Sequence, residues 1–98
     1  MANVTASLSA NGSTSPLQII GHFNLSLSGT WAATVTIERS WNQTDWFAVD
    51  TFTGNYEGVG FDAEEMFYRA TVSGYSSGTV VIRLSDNRDF GSKDVFVQ

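Results

Sequence analysis

Phe23-Asn24-Leu25-Ser26-Leu27-Ser28 and Ala33-Thr34-Val35-Thr36-Ile37-Glu38 decide the fold class. In each, every second residue is apolar and the residues between are polar. A strand turns successive side chains to opposite faces. Phe23, Leu25 and Leu27 therefore make one dry face, and Ala33, Val35 and Ile37 another. Ser28-Gly29-Thr30 between them reads as a turn, so the pair is expected to form a hairpin with one face on a core and one in water.

The same period of two runs outward from this pair. Trp46–Thr53 sets Trp46, Ala48, Asp50 and Phe52 against Phe47, Val49 and Thr51. Both faces carry apolar groups, which predicts a strand covered on both sides. Met66–Ser73 alternates Met66, Tyr68, Ala70 and Val72 against Phe67, Arg69 and Thr71, and Thr79–Ser85 sets Val80, Ile82 and Leu84 on one face. Ser73–Gly78 between them reads as a hairpin loop. Weaker strands are expected at Val4–Ser9 and Leu17–Ile20, separated by Asn11-Gly12-Ser13, with the only proline, Pro16, just ahead of the second. Tyr56–Phe61, interrupted by Gly58 and Gly60, adds one more strand or a bulge. Helical spacing appears only at Asp62–Met66, for one turn at most. The expectation is an all-β chain, a single antiparallel β-sandwich of jelly-roll-like build with seven to eight strands, a small barrel being the alternative. Residues 1–85 make the sandwich domain. Residues 86–98 are a C-terminal tail or added strand, in which Phe90, Val95, Phe96 and Val97 stand out among polar neighbours. Such a segment either completes its own sheet or augments the sheet of a neighbouring subunit.

Composition narrows the function. A chain of 98 residues makes one domain with room for one core. It has no Cys, so neither a disulfide nor a thiol nucleophile is available. Three Trp, three Tyr and seven Phe supply apolar surface for packing and for interfaces. A formal net charge of −5, with the acids spread along the chain, argues against nucleic acid as partner. The N-terminus lacks the charged and apolar regions of a signal peptide, and no apolar run approaches the roughly 20 residues that span a bilayer. Folding in a cytoplasm and no membrane partner are expected. The Asn-x-Ser/Thr triplets at Asn3, Asn11, Asn24 and Asn42 are then incidental.

Catalytic chemistry finds little footing. The single His, His22, heads the Phe23–Ser28 strand, and one His with no Cys is a poor start for a metal site or a triad. Asp62, Glu64 and Glu65 sit together where solvated acids in a turn are the ordinary explanation; a glycosidase pair or a calcium loop is the weaker one, because the spacing matches no calcium motif. No catalytic residue, cofactor or metal is assigned. Ser40-Trp41-Asn42-Gln43-Thr44-Asp45-Trp46 resembles a shortened Asp-box, a structural β-hairpin, but lacks its glycine. Trp46 is expected in the core, and Trp41, at the tip, against a partner. Arg39, Arg69 and Arg83 fall in strands, where pairing with acids such as Glu38 is expected and a shared Arg patch is the alternative.

Gly21–Trp31 and Thr34–Ser40, followed by Phe67–Gly74 and Ser77–Ser85, resemble a small β-sandwich virion protein of tailed bacteriophages. The resemblance runs from Thr5 to Ser85 and leaves the tail unmatched. It implies a capsid decoration (cement) protein, bound as a homotrimer on the outer surface of the head and clamping subunits of the major capsid protein. Contacts would come from Ala2–Leu8, Trp41, Phe90, Val95, Phe96 and Val97. The rival expectation is a tail or head-fibre module that binds host carbohydrate through Trp41 with Tyr56 or Tyr75.

Overall fold

The computed structural model describes residues 3–86. Ala2, Phe90 and Val95–Val97 lie outside that range. The strands are β1 (Asn3–Leu8), β2 (Gly12–Ser13), β3 (Leu17–Ser28), β4 (Trp31–Ser40), β5 (Phe47–Phe52), β6 (Tyr56–Gly78) and β7 (Val80–Asp86). All pairings are antiparallel, in the order β1-β7-β3-β6-β4-β5, with β2 beside β6. The chain is all-β, and its one sheet folds over into a sandwich.

The fold turns on β6. A strand of 23 residues at about 3.3 Å per residue would run about 76 Å if straight. The molecule is only 46 Å along its longest axis. Both ends of β6 lie near the β3–β4 connection: Tyr56 pairs with Leu27 of β3, and Gly78 pairs with Trp31 of β4. The strand therefore doubles back. Its first part, to Asp62, joins β3, β7 and β1 in one layer, and its part from Met66 joins β4 and β5 in the other. The partner strand β3 follows the bend with a bulge between Ile19 and Gly21.

Between the layers lie Ile19, Phe23, Leu25 and Leu27 of β3, Val35 and Ile37 of β4, Met66, Tyr68, Ala70 and Val72 of β6, and Val80, Ile82 and Leu84 of β7. Each set keeps the spacing of two expected from the sequence. Removing these side chains from water is the main force holding the layers together.

The pairing corrects several expectations. The strands around Phe23–Ser28 and Ala33–Glu38 are not a hairpin: β3 pairs with β6 and β7, and β4 with β5 and β6. Ser28-Gly29-Thr30 instead carries the chain from one layer to the other. Ser73–Gly78 is not a hairpin loop either. It is strand, paired with β4 through Ser73, Ser77 and Gly78, and the chain crosses back to the first layer at Thr79. The two crossings lie side by side, with Thr79 N–H donating to the Thr30 carbonyl at 3.0 Å. Gly78, at φ 85°, makes the second crossing possible, since a Cβ there would run into the Thr30 carbonyl. Asp62–Met66 is strand rather than a helical turn. Finally, β5 is an edge strand exposed along Phe47–Thr51, not a strand covered on both sides.

Candidate functional site

Asp62 sits where β6 doubles back and ties the bend to the opposite layer. Its carboxylate accepts two hydrogen bonds from Arg39 of β4, at 2.8 and 3.1 Å, and one at 2.7 Å from the buried Tyr68 hydroxyl. The Glu64 N–H donates to its other oxygen at 3.0 Å. The side chain is only 8% exposed, which corrects the expectation of a solvated acid. Burial works against its charge, but the hydrogen bonds from Glu64, Tyr68 and Arg39 outweigh it, and the carboxyl titrates below its ordinary value. Burial, reinforced by the bond to Asp62, pushes the Tyr68 phenol up to about 12. Neither group is poised for proton transfer near neutrality. The trio works as a clamp, and Glu64 and Glu65 lie beside it at the surface.

The loop from Ser40 to Trp46 is held by its own side chains. The buried Ser40 hydroxyl accepts from the N–H groups of Asn42 and Gln43, and Asn42 Oδ1 accepts from those of Thr44 and Asp45. Gln43 adopts φ 64°, a left-handed conformation that favours glycine. The loop presents Trp41 at 63% exposure. Trp46 is half-buried rather than in the core; it lies outside the sandwich under the Arg69 guanidinium, 4.1 Å from its ring centre. Arg69 also donates to Glu38 at 2.8 Å. Arg39 is drawn to Asp62 and Arg83 stands on the other layer, so the three arginines form no common patch.

The two end strands of the described sheet, β1 and β5, are unlike. On β1 the exposed residues are Asn3, Thr5 and Ser7. On β5 Phe47 and Val49 are 58% and 51% exposed. Between β5 and the first part of β6 the sandwich stands open over a slot of ≈ 110 Å³, walled by Val49, Phe52, Tyr56 and Val59 and floored by Phe23, Leu25, Ile37 and Tyr68. Phe52 and Tyr56 close one end, with ring centres 4.4 Å apart. Gly60 leaves its inward position to the Phe23 ring, where any Cβ would collide.

A second cavity, ≈ 490 Å³, opens on the outer face of the β1-β7-β3-β6 layer, lined by Asn24, Ser26, Glu57, Val59, Arg83 and Ser85 among others. No signal in the residue pattern marked it, because its members are scattered over three strands and meet only through register.

Of the aromatic residues expected to form a sugar platform, Trp41 follows the end of β4, whereas Tyr75 lies in the part of β6 that pairs with the start of β4. About 30 Å of strand separates these ends. Tyr56 is stacked on Phe52, so the three form no platform. His22 is exposed and touches only the Phe61 ring among aromatic neighbours. Among the described residues, no three His, Asp or Glu side chains gather as a metal site, and no helix is long and apolar enough to cross a membrane. Comparison with protein-family models, with curated proteins and with solved structures finds no match.

Proposed function

We propose that this chain is a non-enzymatic binding protein of a tailed-phage particle: a decoration (cement) protein that sits as a homotrimer on the outer surface of the head and strengthens contacts between subunits of the major capsid protein. The observation that carries the docking part is the contrast between the two end strands. A free edge offers unpaired N–H and C=O groups, and proteins ordinarily blunt it with polar or charged residues. β1 follows that rule; β5 breaks it with Phe47 and Val49, and Trp41 stands at the tip of the same β4–β5 hairpin. Exposed apolar side chains on a free edge strand mark a surface that is covered in use. Repetition over a capsid lattice would let a modest contact of this kind bind firmly. The head as the address rests on the resemblance of Gly21–Trp31, Thr34–Ser40, Phe67–Gly74 and Ser77–Ser85 to phage virion proteins.

The test is cosedimentation of the purified chain with expanded phage heads, alongside its mass in solution. The reading expects a trimer that binds heads, and loss of binding in Phe47→Asp/Val49→Asp with the fold intact. A monomer that ignores heads and cofractionates with tails overturns it. The rival sugar-binding reading built on Trp41, Tyr56 and Tyr75 is not favoured, since those rings are dispersed.

A further inference from the structure

The geometry points to a carbohydrate site elsewhere, on the outer face of the β1-β7-β3-β6 layer: a shallow groove for a neutral oligosaccharide. This inference is independent of the docking edge.

Register assembles the groove. On β6, Glu57, Val59 and Phe61 point away from the core; on β3, His22, Asn24 and Ser26 do so; on β7, Arg83 and Ser85. Pairing aligns them in rows: Phe61 with His22, then Val59 with Asn24 and Ser85, then Glu57 with Ser26 and Arg83. The array is about 13 Å long and about 10 Å wide from strand spacings, and the cavity of ≈ 490 Å³ lies over its second and third rows. Its floor is made of short side chains, and Ser85 is only 5% exposed although it points away from the core. That volume falls within the range of about 300–1,000 Å³ usual for small-ligand sites.

The chemistry of the rows selects the ligand. A sugar hydroxyl both donates and accepts, so a site for it needs both kinds of partner close together. Here Glu57 accepts, the Arg83 guanidinium donates from the far side of Ser26, and Asn24 does both. Ser26 already donates to Glu57, which fixes the carboxylate at one wall. Sugars also present an apolar C–H face. Val59, 74% exposed, and the Phe61 ring, 61% exposed and braced by His22 at 4.9 Å, supply a surface for it at one end. Two features set the class as neutral. The carboxylate stands inside the groove, and the chain's net charge of −5 repels polyanions.

The probe is an array of neutral and acidic oligosaccharides, followed by amide NMR of the full chain with the best neutral binder. The expected result is binding of a neutral oligosaccharide, with shifts confined to Asn24, Ser26, Glu57, Val59, Phe61, Arg83 and Ser85. Phe61→Ala should weaken it about 3–10-fold and Arg83→Ala about tenfold or more. Both positions are exposed, so the variants should keep the wild-type amide spectrum elsewhere. Trp41→Ala should bind as wild type. No binding by any neutral member, preference for acidic members, or loss on Trp41→Ala with retention in Phe61→Ala each overturns the proposal.

Discussion

Replacing Asp62 with Ala should destabilise the fold by about 1–4 kcal/mol, and the loss should depend on pH. Three donors lose their acceptor, and they are not equal. The Tyr68 hydroxyl is buried, so its unmade bond costs about 1–3 kcal/mol. Arg39 is 34% exposed and can turn to solvent, so the ion pair itself adds no more than about 1 kcal/mol. The Glu64 N–H is at the surface, where water substitutes. For a domain of this size each kcal/mol moves Tm by about 4–8 °C, so a drop of about 4–32 °C is expected. The acid dependence follows from the carboxyl titrating below its ordinary value of 3.8. A folded-state pKa below the unfolded one gives stability that is complete above the unfolded pKa and lost as pH falls through the folded one. The wild type's advantage over Asp62→Ala should therefore be constant from neutrality to about pH 4–5 and shrink below it. Urea denaturation followed by Trp fluorescence, repeated across that range, reads both quantities. The double variant Asp62→Ala/Tyr68→Phe should recover part of the loss, because the buried hydroxyl no longer needs a partner. A loss under about 1 kcal/mol, or one that grows toward low pH, would refute the assignment of Asp62 as the clamp of the β6 bend.

Other outcomes follow from the same structure. Tyr68→Phe should cost about 1 kcal/mol near neutrality; because the phenol is raised from 10 to about 12, that contribution is complete below pH 10 and fades as pH rises toward 12, which alkaline denaturation curves would show. Ile82→Ala, at a position with no exposure in the middle of the core, should cost about 2–5 kcal/mol by thermal or urea unfolding. Gly78→Ala should cost more than about 1 kcal/mol although it adds only a methyl group, since φ is 85° and the Thr30 carbonyl blocks the space. Gln43→Gly should be neutral or stabilise by up to about 1 kcal/mol, because the left-handed strain at φ 64° disappears; clear destabilisation in calorimetry would contradict it.

The sequence made the inward faces legible and the pairing illegible, and the difference is physical. Whether Phe23, Leu25 and Leu27 share a face depends on backbone geometry over a few residues, so alternation alone reveals it. Which strand lies beside β3 depends on where the chain crosses between layers. Ser28-Gly29-Thr30 has the composition of a tight hairpin turn, yet Gly29 and Gly78 serve two crossings packed against each other. Local turn chemistry cannot separate those uses. The length of β6 was hidden for the same reason: Gly58, Gly60 and the acidic run at 62–65 look like interruptions when the neighbouring β3 is not in view. Asp62 was read as solvated because its partners, Arg39 and Tyr68, come from a strand distant in sequence and from the far side of the bend. Trp46 is expected in the core, whereas the guanidinium of Arg69 gives it a partner outside.

The bend of β6 also explains why the two proposed surfaces coexist on so small a chain. By doubling back, the strand places its first part at the edge of one layer, opposite β5 at the edge of the other. Its inward positions there are Gly58 and Gly60, which leave the slot thin and let Phe23 and Tyr56 lie over the backbone. Its outward positions are Glu57, Val59 and Phe61, which meet the short side chains of β3 and β7. One segment of five residues thus contributes to the slot on one side and to the polar groove on the other. The Tyr56 and Phe23 rings take the space that a Cβ would need at those glycines. The edge beside them stays open, flanked by Val49 and Val59, both exposed, and leaving that apolar surface in water costs stability. That cost to stability is intelligible where the edge is covered by a partner in use, which is why the open side of the sandwich, rather than its polar β1 edge, is the surface proposed for docking.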